Sequence, residues 1–321
     1  MEGQQSVMGA LEARQRRLSD RRDFFRALTV AAVTTGGLAL ASRTQSVQAQ
    51  TAPTDVDILN FALNLEYLES NFYSIAVLGE QLPDNLRTGS GTPVAPTVTG
   101  ARQVTFADTA LAQMAREITA NERTHVAAVR ATIQQLGGTP IAQPALDLSV
   151  SPTSAFSNLA RAAGLIGAGE TFDPYANENN FIQAAAGFED VGATAYKGAS
   201  PLIASKVVLE ASAGILAVEA YHASILRTHI YLKGLQTPAL LSASEALSRA
   251  RDDVDGPDDR DQGVAPIGGA SNIVPTDGNG ITFSRSTGQV LNVVYQNRAA
   301  VSMGGFFPAG VNGAIRTSAA N

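Results

Sequence analysis

Two of the three histidines in this chain follow a glutamate at the same spacing, in Glu122-Arg-Thr-His125 and Glu219-Ala-Tyr-His222. The chain has 13 Glu in 321 residues, so chance would put Glu three places before a given His about 4% of the time. Each pair also interrupts an apolar stripe with helical spacing. One stripe is Leu111, Ala115, Ile118, Glu122, His125, Val129, Ile133 and Leu136; the other is Val208, Ser212, Ile215, Glu219, His222, Leu226 and His229. Residues three apart on a helix share a face, so each Glu and His point into the core together. A carboxylate in a core is costly unless a counter-charge meets it. A metal ion is the natural counter-charge, because Glu and neutral His are both metal ligands. The competing arrangement is a metal-free bundle whose carboxylates and histidines pair with each other.

Such side chains need rigid elements to converge, and the periodicity predicts four long helices. The first spans about 55–78, with Leu59, Ala62, Glu66, Glu69, Ser70, Tyr73 and Val77 on one face. The second starts at an Asp108 cap and stops at Gly137-Gly138-Thr-Pro140. The third runs from about Asn177 to Ala199, with Ile182, Ala185, Ala186, Glu189, Ala193 and Tyr196 inward. The fourth carries Glu219 and ends at Gly234, with Pro201 expected in its first turn. The first and third helices thus add Glu66 (or Glu69) and Glu189. Glu66 precedes Tyr73 by seven residues and Glu189 precedes Tyr196 by seven, so the chain reads as a duplicated helix pair. Four carboxylates bring four negative charges, which two divalent cations would cancel.

Between these helices, residues 79–106 and 139–153 are rich in Gly, Pro, Thr and Ser and read as long loops. Short helices are expected near 154–166 and 239–251. From Asp252 the composition shifts to Asp, Gly, Pro and Asn, with strand-like fragments at 281–284 and 289–295, and this region should drape over the bundle. The run Asp252, Asp253, Asp255, Asp258, Asp259 and Asp261 could hold calcium, but it lacks the EF-hand order and closing Glu, which favours a solvated turn. His229 is expected to be capped or at the core edge rather than a third ligand.

With no Cys, thiolate metal sites, disulfides and Cys nucleophiles are excluded. The N-terminus reads as a leader. Six Arg between residues 14 and 26 precede a 15-residue apolar stretch, Ala27 to Ala41, and Val47-Gln48-Ala49 offers a cleavage site. Asp20-Arg21-Arg22-Asp23-Phe24-Phe25-Arg26 resembles the twin-arginine export signal. The expected organisation is therefore a leader at 1–49, a four-helix bundle at 50–251 and a C-terminal region at 252–321, in a periplasmic or extracellular protein. Past residue 49 the chain carries 16 Lys and Arg against 25 Asp and Glu, a net charge of −9, which disfavours nucleic acid and anionic membranes as partners.

The chain resembles the ferritin-like superfamily, and more closely its exported members, which include plant and bacterial desiccation-related proteins. The likeness rests on Ala62-Leu-Asn-Leu-Glu66-Tyr-Leu-Glu69, on Gly187-Phe-Glu189-Asp-Val-Gly-Ala-Thr-Ala-Tyr196-Lys-Gly198, on Glu219-Ala-Tyr-His222, and on Gly304-Gly-Phe-Phe-Pro308-Ala-Gly-Val-Asn-Gly313. It implies an all-α, ferritin-like four-helix bundle with a dinuclear carboxylate site holding two divalent ions, iron or manganese. Glu66 and His125 would then bind one ion, Glu189 and His222 the other, and Glu122 and Glu219 would bridge them. Glu69 could replace Glu66 or serve as a base beside it, and the family's Glu-x6-Tyr spacing favours Glu66. Tyr73 and Tyr196 would hydrogen-bond ligand carboxylates or pack as ordinary core residues.

Three functions compete. A metalloenzyme would act on oxygen, peroxide or Fe(II). A non-enzymatic stress or envelope protein would use the bundle as a scaffold, contacting an envelope partner or another copy of itself. Iron storage in a closed shell is disfavoured by the long loops and the extra C-terminal region.

Overall fold

A computed structural model describes residues 52–321, so the expected leader lies outside the described residues. The chain is all-α. Helix α1 (Asp55–Tyr73) continues as a π-helical turn (Ser74–Leu78), and α2 (Asp84–Arg87) is a single turn. Then come α3 (Thr109–Gln135), α4 (Ala155–Ala162), α5 (Glu178–Ala199), α6 (Lys206–Gly234), α7 (Pro238–Asp255) and α8 (Thr287–Tyr295). Among the described residues, none of these helices is long and apolar enough to cross a membrane.

The helix starts follow local chemistry. Thr54 and Asp57 close a reciprocal capping box at α1. Asp108, Asn177 and Ser205 cap α3, α5 and α6 by accepting from backbone N–H groups of the first turn. Gly79, with φ of 75°, ends the π turn in the left-handed conformation. Pro201 lies in a separate 3₁₀ turn, Ser200–Leu202, rather than in the first turn of α6. The Ser205 side chain marks the true start, three residues after that turn.

Helices α1 and α3 form one pair and α5 and α6 the other, and the two pairs pack together as the bundle. The buried face of α3 is the expected stripe with one exception: Leu136, the C-cap residue, is exposed. Helices α1 and α5 are buried nearly all round, the pattern of helices covered on every side, whereas α3 and α6 keep one face in solvent. The outer side of α1 carries buried amides that hold the loops. Asn60 Oδ1 accepts from Ile141 N–H at 2.9 Å, Asn71 Nδ2 donates to Gln143 Oε1 at 2.8 Å, and Tyr67 Oη donates to the Ile141 carbonyl at 3.0 Å. The loops at 79–106 and 139–153 also bond to each other, through isolated parallel bridges at Ser90–Ile141 and Thr97–Asp147. Asn64 exchanges two hydrogen bonds with the Asn312 backbone, which fastens the C-terminal region to the same helix.

The expected strands at 281–284 and 289–295 do not occur. Residues 287–295 form α8, started by a capping box between Ser286 and Gln289; this local cap outweighs the β preference of Val290, Val293 and Val294. Residues 277–281 form a turn in which Asp277 accepts from the backbone of Asn279 and Ile281.

Helix α7 continues to Asp255, past the change in composition at 252. The acidic run is only partly a solvated turn. Asp255 and Asp261 are buried and meet Arg285, at 2.6 and 2.9 Å. Asp261 also takes both arms of Arg251, while Asp190 pairs with Arg227 at 2.8 Å. Arg227 further donates to the carbonyls of Gln262, Gly263, Asn272 and Ile273. Three carboxylates and three guanidinium groups thus neutralise one another between the bundle and the C-terminal region. That occupies two of the six acids that had suggested calcium, Asp255 and Asp261. Gly198 permits the same junction, because a Cβ there would fall 1.9 Å from the Arg285 carbonyl.

Candidate metal centre

The four long helices converge on a cluster of buried acids and imidazoles. Glu66, Glu69 and Tyr73 come from α1, Glu122 and His125 from α3, Glu189 and Tyr196 from α5, and Glu219 and His222 from α6. Glu66, Glu122, Glu189 and Glu219 are fully buried. Two sets of ligand atoms come close enough to share an ion: Glu66, Glu122, His125 and Glu219, and Glu122, Glu189 and His222. Glu122 belongs to both sets, and Glu219 to the first.

His125 Nδ1 lies 3.5 Å from Glu66 Oε2, 3.5 Å from Glu122 Oε1 and 3.4 Å from Glu219 Oε1. His222 Nδ1 lies 3.1 Å from Glu122 Oε1 and 3.2 Å from Glu189 Oε2. Its Nε2 is 3.1 Å from Asn121 Nδ2. The two imidazole rings stand 6.1 Å apart. Tyr73 Oη donates to Glu189 Oε1, and Tyr196 Oη donates to Glu66 Oε1. Each tyrosine therefore holds the carboxylate of the other helix pair, leaving that carboxylate's second oxygen toward its histidine.

The donor set is left with unmet demand. Glu66 Oε2, both oxygens of Glu122, both oxygens of Glu219 and His125 Nδ1 are buried with no hydrogen-bond partner. Native interiors rarely leave such atoms unpaired. Six of them on one small set of Glu and His side chains suit divalent cations, which satisfy several carboxylate oxygens at once. The residues present therefore fit a pair of such ions.

Electrostatics point the same way. Burial, then the neighbouring Glu122 and Glu189, push the Glu219 carboxyl well above its usual range. Burial likewise raises Glu66 and Glu189. Glu122 moves down instead, because hydrogen-bond and charge interactions with His125 and His222 outweigh its burial. Burial alone would lower both histidines, but the facing carboxylates override it and raise His222 to about 10 and His125 further.

Glu69 is absent from both ligand sets. It lies beside the cluster, with its carboxyl pushed well up by burial and then by Glu219 and Glu122. Gly192 on α5 closes the cluster on that side, where a Cβ would fall 2.2 Å from Glu219 Oε2 and 3.2 Å from Glu69 Oε1. Sequence periodicity did not single out Gly192; its only signal was a glycine inside a helix, where Ala would be the better helix former. His229 lies outside the cluster, partly exposed at the bundle end, with Nε2 3.2 Å from Met114 Sδ.

Residues 54–232 match the family model described as a ferritin-like domain. Over 181 residues, the chain is 35% identical to a desiccation-related protein from Craterostigma plantagineum, covering 56% of this chain and 53% of that relative. The chain thus spans about half that relative's length. It is 27% identical over 276 residues to a ferritin-like catalase from Nesocodon mauritianus, covering 81% of this chain and 84% of that protein.

Proposed function

The chain belongs to the ferritin-like domain family, and from that premise we propose that its cluster binds two divalent ions, iron or manganese, and uses them to remove hydrogen peroxide. The observation that carries this reading is the set of buried carboxylate oxygens with no hydrogen-bond partner among the described residues, contributed by three of the four helices. In this reading Glu66 and His125 would hold one ion and Glu189 and His222 the other, with Glu122, which belongs to both sets, available to either. Glu219 completes the His125 set and is the second candidate bridge.

Once bound, the ions would supply reversible electron transfer: one peroxide is oxidised to dioxygen, giving up two electrons and two protons, and a second takes these up to become two waters. The protein's part is to position and to exclude. Tyr73 and Tyr196 orient Glu189 and Glu66, so each presents its second oxygen inward. Glu69, outside the ligand sets and with its carboxyl pushed up by burial, is placed to give a proton to peroxide and then take one back. The buried surround keeps other reductants away from the ions. Support for peroxide over Fe(II) as substrate comes from the catalase relative, which aligns over most of this chain. The twin-arginine-like leader supports action outside the cytoplasm.

The test is metal analysis of purified protein beside a Glu122→Ala/Glu219→Ala variant, followed by peroxide-decay and Fe(II)-oxidation assays. About two equivalents of iron or manganese, lost in the variant, together with peroxide decay in the loaded protein, are expected. Folded wild-type protein that never holds metal would sink the proposal. A second reading, a non-enzymatic protein of desiccation stress acting through an envelope partner or as a homo-oligomer, draws on the 35% identical relative. It predicts bound metal without peroxide decay.

A further inference from the structure

We propose that the C-terminal region walls an apolar passage by which small uncharged molecules, hydrogen peroxide foremost, reach the cluster from the α1 and α5 side. This rests on the metal reading above and gives it a route and a substrate class. The passage is a pocket open to solvent at one side. Its inner end is formed by Glu69 on α1 and Gly192 on α5. Gly192 is where the missing Cβ brings backbone against Glu219 Oε2, so the pocket ends one atom layer from the cluster.

The outer walls are not part of the four-helix bundle. Phe156 of α4, Leu247 of α7, Val293 and Val294 of α8 and Phe306 of the C-terminal segment face the bundle residues across the space. Phe306 packs its ring edge-to-face on Phe156 and Phe188, with centroids 5.0 and 5.1 Å apart. Leu159, Arg251 and Val293 also border a second, more polar space lined by Asn158 and Gln296, which forms a vestibule.

The lining selects by charge and size. Its polar side chains are Glu69, Gln183 and Arg251. Gln183 Nε2 is committed to the Leu240 carbonyl, and Arg251 is committed to Asp261. A hydrated divalent cation would have to shed water against apolar walls and pass a guanidinium, at a large desolvation cost. A small neutral molecule such as hydrogen peroxide gives up only a few hydrogen bonds and no ionic hydration shell, so its cost is much smaller. The C-terminal region therefore shapes access to the cluster without contributing a ligand to it.

The passage can be narrowed away from every ligand. Ala184→Phe adds a ring from the α5 wall, Ala160→Phe adds one from the α4 wall, and Ala184→Phe/Phe306→Ala removes one ring for the ring added. Three readouts apply to each: metal content, peroxide kcat/KM of the loaded protein, and xenon uptake by pressurised crystals, since xenon enters apolar cavities whether or not metal is bound. Wild type should take up xenon between Phe188 and Leu247. The single variants should exclude it, keep two metals and lose tenfold or more in kcat/KM, and the double variant should regain both xenon and rate. Loaded single variants that exclude xenon yet turn over peroxide at the wild-type rate would overturn the passage and leave the metal reading standing. If Ala184→Phe does not fold, Ala160→Phe decides by the same criterion. Wild-type protein without metal overturns the metal reading itself, and metal analysis shows this before any rates are compared.

Discussion

Replacing Glu219 by Gln should change stability in opposite directions with and without metal. The substitution keeps the shape of the side chain and removes its charge. In the metal-free protein, Glu219 is fully buried, neither oxygen has a hydrogen-bond partner, and its carboxyl is raised well above 4.5 by burial and by Glu122 and Glu189. The folded state therefore holds the proton more tightly than the unfolded chain. The contribution of Glu219 to stability is intact below the unfolded value of 4.5 and is lost as pH rises toward the folded value. The slope is at most about 1.4 kcal/mol per pH unit. Gln has no such proton to lose, so the advantage of the variant should be absent near pH 4.5 and grow above it. By about pH 8 it should reach about 1–3 kcal/mol, the usual cost of an unsatisfied buried polar group. At about 2–4 °C per kcal/mol for a domain of roughly this size, the metal-free variant should melt about 2–12 °C above wild type. Metal reverses the order. At a free concentration a hundred times its Kd, an ion that binds only the folded state adds about 2.7 kcal/mol, or about 5–11 °C, to wild type, and the variant should lose much of that gain. Differential scanning calorimetry of chelator-treated and manganese-loaded samples across pH checks both halves. A variant less stable than wild type by the same margin in both states would refute the argument, because Glu219 would then be a structural residue.

Tyr196→Phe takes the only hydroxyl donor from Glu66, and metal affinity should fall about tenfold to a hundredfold while the fold persists, read by isothermal titration. Metal binding should tighten as pH rises from about 6 to about 8 and should release protons, because His222 is raised to about 10 in the metal-free protein and must lose its proton to bind. Titration in two buffers of different ionisation enthalpy measures that release. Arg285→Met breaks the pairs with Asp255 and Asp261 inside the protein, which should cost about 3–5 kcal/mol. Hydrogen exchange should then show α8 opening ahead of the bundle, with metal content unchanged.

The bundle and the convergence of its Glu and His side chains were legible because both depend on local periodicity. A Glu and a His three apart on an apolar stripe can only face inward together, and Glu122/His125 and Glu219/His222 do so. The repeated Glu-x6-Tyr pattern also carried information, since Tyr73 and Tyr196 reach the acids of the opposite pair. Contacts between segments distant in sequence were not legible. Asn60, Asn64 and Asn71 looked like ordinary polar positions on α1, yet they bind loops and tail residues 70 or more places away. The acidic run around Asp255 and Asp261 suggested solvent or calcium because its partners Arg251 and Arg285 become neighbours only on folding. The helix at Thr287–Tyr295 was hidden because its valines favour strands, and the Ser286/Gln289 cap decides the matter locally.

The crossed tyrosines bear on how such a cluster could arise and be taken apart. Neither helix pair supplies a whole set of ligand-capable atoms alone: the first lends Glu122 to the His222 side and takes Glu219 for the His125 side, and each tyrosine serves the opposite acid. A half-length chain bearing one Glu-x6-Tyr helix and one Glu-x-x-His helix would build the same arrangement only as a two-fold dimer, with a single isologous interface doing the work of the α1–α5 contact. Cutting the chain in the loop between α4 and α5 and co-expressing the two pieces should accordingly restore metal binding, while either piece alone should bind none.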